Sequence, residues 1–338
     1  MIKLKTGWER SNPLILPDQS TVSKMLQPFL NERQILKLEP LGGGLSNTNI
    51  KVSLTNGENF VLRIYNDDGT KGHIEKGVLQ LVKSTIPVPQ VLYHDASLSQ
   101  FEYPYLVLDW IKGTQLSELF ISRDQQSLVY AGQEVGRVLA SLHAIQFTSP
   151  GFFDEQLTIQ RFDGASGAEF FVDLIERIIS ERPVTENLGP ELVNEIRQFV
   201  NEHAQLVDDI GNQSSLVHSD FNPLNILIEK DEDNIKITGI LDWEFSFSNS
   251  PLIDIGNMLR YEDVKESPFI QPFISSYLKH GGDLPQKWLQ KAKLLDLIAL
   301  CELANKEACG EVRVRDIKNL ISRTMNEWEL YEEVQEDI

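Results

Sequence analysis

Residues 216–229, LVHSDFNPLNILIE, set a histidine, an aspartate and two asparagines between two apolar segments. Shortly after, IKITGILDWEF (235–245) carries Asp242 toward its end. Asp220 can take a proton from a hydroxyl group, while Asn225 and Asp242 offer oxygens to a hard cation. Oxygen-only ligands suit Mg²⁺, which keeps several waters and bridges phosphate oxygens. Two carboxylates beside a triphosphate repel it unless metal ions stand between them, so the set asks for Mg²⁺ and a nucleotide together. Phosphoryl transfer needs positioning and charge neutralisation more than covalent help, and these residue types supply both. Taken singly, HSDFNPLN reads as a polar turn with Asx-type caps, and DW as a turn after a strand. The two at this separation, each following a strand, favour a site. A zinc centre on His218-x-Asp220 lacks a third nitrogen or sulfur ligand nearby.

The elements around these residues divide into two textures. ILKLEPL leads into Gly42-Gly43-Gly44, and NTNIKVSL and NFVLRIY follow as strands separated by Asn56-Gly57, a hairpin signal because both residues accept positive φ. GHIEKGVLQLVKS has Ile74, Val78, Leu81 and Val82 at helical spacing. VPQVLYHD and PYLVLDW read as two further strands, and WIKGTQL as an exposed crossing. From about Ser127 the pattern is helical, in AGQEVGRVLASLHAI, GPELVNEIRQFVNEHAQLV, FISSYL, WLQKAKLLDLIALCELANKEA and VRDIKNLISRTMNEWELYEEV, interrupted only by the strands that carry Asp220 and Asp242. The fold class is α+β: a β-rich lobe over 1–110, a hinge near 109–115 and a mainly helical lobe over 111–338.

Composition narrows the partners. Fifty acidic against 31 basic residues, a net charge of −19, repel nucleic acid and anionic membranes and tolerate cationic small molecules. The same acidity also serves plain solubility. Cys301 and Cys309, the only cysteines, form neither a metal knuckle nor a disulfide framework, and in one predicted helix they point in different directions. MIKLKTGWERSNP lacks the apolar core and cleavage site of a signal peptide, and no apolar run reaches the roughly 18–20 residues of a membrane span. A cytoplasmic protein is expected.

HSDFNPLN matches the H-x-D-x-x-x-x-N catalytic loop of the aminoglycoside phosphotransferase and choline kinase-like family, relatives of protein kinases, and ILDWEFSFSNSPLIDIGNML resembles that family's metal-binding segment and following helix. The likeness runs from about Leu41 to Tyr261. It implies a bilobal, protein-kinase-like fold, with Asp220 as catalytic base, Asn225 and Asp242 as Mg²⁺ ligands and His218 bracing the loop. Asp254 resembles the aspartate that ties the next helix back to that loop; a plain N-cap is the other reading. LGGGLSNTNIKV resembles the loop over nucleotide phosphates, where Gly43 and Gly44 let backbone approach and Ser46 and Asn47 add donors. Asn47 stands where a third glycine would complete the pattern, and a glycine-rich hairpin turn is the more common meaning of such a stretch. FVLRIY occupies the place of the strand with the phosphate-contacting lysine, which puts Arg63 there, Glu75 as its partner, and Lys51 as another candidate for phosphate. YLVLDWIKG resembles the hinge, with backbone near Asp109, Trp110 and Ile111 meeting adenine.

The resemblance implies an ATP- and Mg²⁺-dependent kinase acting on a hydroxyl of a small molecule. Acidic residues of the helical half, Glu244, Glu262, Asp263, Glu302 and Glu307, suit a cationic acceptor such as an aminoglycoside or amino alcohol, or are solvated helix faces; a sugar, a macrolide or a homoserine-like metabolite are the other acceptors. A catalytically silent, nucleotide-binding relative is the second reading, against which stand the intact Asp220, Asn225 and Asp242. A protein kinase fits poorly, with HSD for HRD, DWE for DFG and no APE segment. His143 reads as a packing or capping histidine, Trp243 and Phe245 as core or acceptor lining, and Asn222 as loop filling.

Overall fold

The computed structural model describes residues 4–66, 69–162, 167–231, 234–307 and 309–337. Five antiparallel strands, β1 (Ile35–Pro40), β2 (Thr48–Leu54), β3 (Asn59–Ile64), β4 (Val91–Asp95) and β5 (Tyr105–Asp109), make one sheet in the order β1-β2-β3-β5-β4. Period-2 alternation places Thr48, Ile50, Val52 and Leu54 of β2 on one buried face. The Asn56-Gly57 turn joins β2 to β3, and of the two residues only Gly57 takes positive φ, at +90°. In β5 alternate residues serve two cores: Tyr105 and Val107 pack with Val22, Met25 and Leu26 of an N-terminal helical turn, whereas Leu106 and Leu108 pack with Val78, Leu79 and Val82 of the Thr70–Val82 helix. The sheet is thereby covered on both faces.

The helical half is built on a close crossing of the Gln125–His143 helix with Ile270–Lys279. Glycine makes that approach possible: a Cβ at Gly136 would lie 2.2 Å from the Phe273 carbonyl oxygen, and one at Gly132 2.6 Å from that of Phe269. Ser276 fastens the crossing by donating to the Gln133 carbonyl at 2.6 Å. The mixed α+β architecture, with strands early and helices late, is the one read from the sequence.

Several local features differ from the sequence reading. WIKGTQL is not wholly an exposed crossing: β6 (Thr114–Gln115) pairs with β10 (Ile226–Asp231), which in turn pairs with β11 (Asn234–Ile240). A four-stranded sheet of β7 (Gly151–Phe153), β8 (Ile159–Arg161), β9 (Ser215–Val217) and β12 (Phe247–Asn249) is also present, in the order β8-β7-β12-β9. Its strands are three residues each, too short for alternation to register. The final helical stretch is two helices, Glu311–Asn326 and Trp328–Asp337. Cys309 lies outside the Trp288–Ala304 helix that holds Cys301; both are buried and free. Finally, Leu4 and Trp8 are buried, and the Trp8 indole donates to Asp316 and lies under the Arg313 guanidinium, so this segment packs on the Glu311–Asn326 helix.

Candidate active site

Strand β9 runs into His218-Ser219-Asp220, and three interactions shape the loop. Asp254, in the first turn of the Leu252–Met258 helix, accepts the backbone N–H of His218 and of Ser219, each at 2.8 Å. Those two bonds hold Ser219 at φ +71°, where a non-glycine backbone is strained. The second reading of Asp254, a plain N-cap, therefore gives way to a tie between helix and loop. His143 meets the same carboxylate through Nε2 at 3.2 Å and Tyr277 Oη through Nδ1 at 2.9 Å, so it orients Asp254 rather than merely packing.

His218 is fully buried, and both ring nitrogens are engaged. Nε2 faces the Leu241 carbonyl at 2.8 Å and must carry the proton, while Nδ1 accepts the Asp220 N–H at 3.2 Å. With both nitrogens occupied the zinc reading is closed, and the ring lies 4.4 Å from that of Trp243, tilted by 53°. The Leu241 peptide is held at both ends, because its N–H donates to the Asn225 carbonyl at 2.8 Å. Asp242, next along at φ +72°, is thus delivered beside Asn225. Asn225 Nδ2 donates to Asp220 Oδ2 at 2.8 Å, which turns its own Oδ1 away from Asp220 and leaves it available to a cation. Asn222, read as loop filling, instead donates to Asp220 Oδ1 at 2.7 Å and accepts the Leu224 N–H at 3.0 Å.

Opposite Asp242 stands Arg63 of β3, buried among three carboxylates. Its Nε lies 2.9 Å from Glu75 Oε2, its Nη2 bonds Asp242 Oδ1, and Glu244 Oε2 is 3.6 Å away. Tyr65 Oη donates to Glu75 at 2.5 Å and Asn47 Nδ2 to Glu244 at 2.6 Å. Burial opposes charge on every member of this cluster. Burial raises the Asp242 carboxyl, yet the Arg63 guanidinium outweighs it and the group sits below its ordinary range. For Glu75 burial outweighs Arg63 and the carboxyl is raised. Glu244 is pushed up to about 7, by burial first, against the pull of Arg63 and with further repulsion from Asp242 and Glu75.

The glycine loop lies between β1 and β2, with Gly43 at φ +90° and open space around both Gly42 and Gly43. Arg10 grips it from outside: its guanidinium donates to the carbonyls of Gly44, Ser46 (3.3 Å) and Asn47 (2.9 Å). Asn66 adds a bond to the Ser46 carbonyl at 2.8 Å. Asn47 is buried and committed to Glu244, so its side chain braces the loop instead of facing phosphate. At the end of β5, Asp109 Oδ1 accepts the Gln90 N–H at 2.6 Å, Lys51 lies over the Trp110 ring at 4.2 Å, and Ile111 packs against Gly239. Lys51, the other phosphate candidate, is thus placed at the hinge tryptophan.

The carboxylates read as acceptor lining do not converge. Glu244 belongs to the Arg63 cluster, Glu262 is buried and bonded to Ser267, and Glu307 pairs with Arg182 at 3.3 Å. Asp263 accepts the backbone N–H of Lys265 and Glu266, and Glu302 is exposed on its helix. Trp243 is wholly buried, while Phe245 is 44% exposed and has Lys71 over its ring at 4.9 Å. Lys5, Arg10 and Asn222 escaped sequence reasoning. The first two stand more than 30 residues from their partners, and only the Asx spacing of Asn222 to Leu224 offered a signal.

A sheet over a helical half, with an H-x-D-x-x-x-x-N loop and an aspartate after the next strand, defines a kinase-like phosphotransferase. The chain belongs to the phosphotransferase enzyme family (APH), whose family model matches residues 37–288. Membership makes it an enzyme that phosphorylates a small molecule. Among solved structures it is similar to the aminoglycoside phosphotransferase APH(4)-Ia, at 16% identity, TM-score 0.63, and 92% of this chain against 99% of that one. It is also similar to the GDP and kanamycin complex of APH(2")-IIia, at 16% identity, TM-score 0.63, covering 94% and 98%. A third, the macrolide 2'-phosphotransferase MphH from Brachybacterium faecium, has 15% identity, TM-score 0.59 and coverage of 92% and 98%. Likeness at this identity speaks to the fold. No curated protein matches the sequence.

Proposed function

We propose that this protein transfers the γ-phosphoryl group of ATP, with Mg²⁺, to a hydroxyl of a small molecule. The carrying observation is the shared peptide frame of the two motif halves: Leu241 bonds both His218 and Asn225, which sets Asp220, Asn225 and Asp242 side by side. The donor set fits Mg²⁺, since Asn225 Oδ1 is turned outward by its own amide bonds and Asp242 has a second carboxylate oxygen beyond the one on Arg63. When bound, the ion neutralises charge on the transferred phosphate. Asp220 takes the acceptor proton. Arg63 orients Asp242, and the glycine loop, fixed by Arg10, covers the phosphates. The nucleotide lies between the sheet-bearing residues up to about 110 and the helical residues from 111, with 109–115 as the hinge. Complexes of APH(4)-Ia with ADP or AMP-PNP and hygromycin B show nucleotide and small substrate together in a protein of this fold. No described helix is long and apolar enough to cross a membrane; with its free buried cysteines, we place the protein in the cytoplasm.

The scattered carboxylates lend little support to a polycationic acceptor, so a neutral polyol or amphipathic alcohol stands on equal terms with an aminoglycoside. Asp220→Asn tests the chemistry. It should keep nucleotide binding within about threefold and lower transfer at least a hundredfold, followed by ADP release across an acceptor panel. Full turnover by that variant would remove Asp220 from the role of base.

A further inference from the structure

The Asp220 carboxylate receives a bond from outside its own loop. Lys5, 215 residues away in sequence, places Nζ 3.1 Å from Oδ1, with its side chain only 13% exposed. The segment that carries Lys5 is anchored: Leu4 and Trp8 are buried, and Trp8 Nε1 donates to Asp316 Oδ2 at 2.9 Å. Tyr261 Oη donates to the same Asp316 oxygen at 2.9 Å, and the Arg313 guanidinium lies over the Trp8 ring while donating to Ser11 Oγ at 3.0 Å. Beyond Trp8, Ser11 N–H donates to the Leu45 carbonyl at 2.8 Å and Arg10 grips the glycine loop. One short strap therefore touches both ends of the site.

An ionised carboxylate offers about four acceptor positions, two on each oxygen. On Asp220, Oδ1 takes Lys5 and Asn222, whereas among the described residues Oδ2 takes Asn225 alone. We propose that Lys5 is a positioning residue for phosphoryl transfer: with Asn222 it saturates Oδ1 and leaves one position, on Oδ2, for the acceptor hydroxyl. The inference rests on Asp220 being the base. In the step so arranged, the acceptor oxygen forms a bond to the γ-phosphorus, the bond from that phosphorus to the β–γ bridging oxygen breaks, and ADP leaves. The hydroxyl proton passes to Asp220 Oδ2. Without Lys5 the carboxylate is free to rotate and present either oxygen, so fewer encounters are productive.

The test uses the full chain and water as the phosphoryl acceptor, measuring MgATP hydrolysis over a range of ATP concentrations. Lys5→Met should lower kcat about tenfold, with KM for MgATP within about twofold, and Lys5→Arg should restore most of the loss. Arg10→Ala, acting through the glycine loop, should show the opposite split, a raised KM with kcat little changed. Lys5→Gln, which keeps a donor without the charge, serves if Lys5→Met does not fold, and thermal unfolding of each variant separates a folding defect from a kinetic one. An active wild type whose Lys5→Met and Lys5→Gln variants keep wild-type kcat, or lose kcat and raise KM together as a loosened strap would, overturns the role of Lys5 alone. A wild type that neither hydrolyses MgATP nor is stabilised by it overturns the phosphotransferase reading, and Lys5's role falls with it.

Discussion

Glu244 is a carboxyl of the site whose ionisation is raised to near neutral pH. Its carboxyl, pushed up to about 7 mainly by burial, is protonated over much of the range in which an unfolded glutamate near 4.5 is already charged. Between those two values the folded state holds the extra proton. Stability from this group is therefore fully present below about 4.5 and is lost as pH rises to about 7. Glu244→Gln mimics the protonated form and should match the wild type near pH 5 yet exceed it by about 1–3 kcal/mol at pH 8, since each pKa unit is worth about 1.4 kcal/mol. Urea unfolding at both pH values checks this, and an equal difference at the two would show that Glu244 ionises normally. Asp242, on the same guanidinium, is held below its ordinary range and stays charged throughout. Arg63 therefore keeps a proposed metal ligand anionic beside a neighbour that readily takes a proton.

At the scale of elements, the His218-Ser219-Asp220 loop depends on one helix N-terminal turn. Asp254 accepts two consecutive backbone N–H groups at 2.8 Å and faces His143 at 3.2 Å. Asp254→Ala leaves these buried donors without partners and releases the strained Ser219, so it should cost about 3–5 kcal/mol and abolish transfer. Calorimetric unfolding and an ATPase assay measure the two effects, and retained activity would show that the loop holds its shape unaided. The helix crossing makes a second prediction. With the Phe273 carbonyl oxygen 2.2 Å from any Cβ at Gly136, Gly136→Ala should destabilise by about 3 kcal/mol although alanine favours helix. A neutral or stabilising result in denaturant titration would mean the two helices separate freely.

For the molecule as a whole, ligand binding should bridge both halves, since the Arg63 cluster joins β3 and the Thr70–Val82 helix to the Asp242 segment. Nucleotide with Mg²⁺ should stabilise the whole chain as one unit, by about 2.7 kcal/mol at a hundred times Kd, and EDTA should remove most of that gain. Differential scanning fluorimetry gives the answer, and a thermal shift from nucleotide undiminished by EDTA would count against Asn225 and Asp242 as metal ligands.

Local physics wrote much of this into the chain. The glycine cluster, the Asn-Gly turn, the alternation of β2 and the H-x-D-x-x-x-x-N loop are short-range patterns, in which each residue's conformation or chemistry is set within a few neighbours. The residue types and strand endings offered Asp220, Asn225 and Asp242 as a set, while the pairing of Arg63 with Glu75, which the structure shows, came from the family resemblance. Sequence reading left Asn222 as filling and drew Asn47 toward phosphate, because nothing local shows which of several donors a carboxylate will take. Only the tertiary fold brought Lys5 to Asp220, Arg10 to the glycine loop, Asn47 to Glu244 and His143 to Asp254. Those partners are separated by 34 to 215 residues, and they meet because buried charges and strained backbone must find donors or acceptors wherever packing happens to place them.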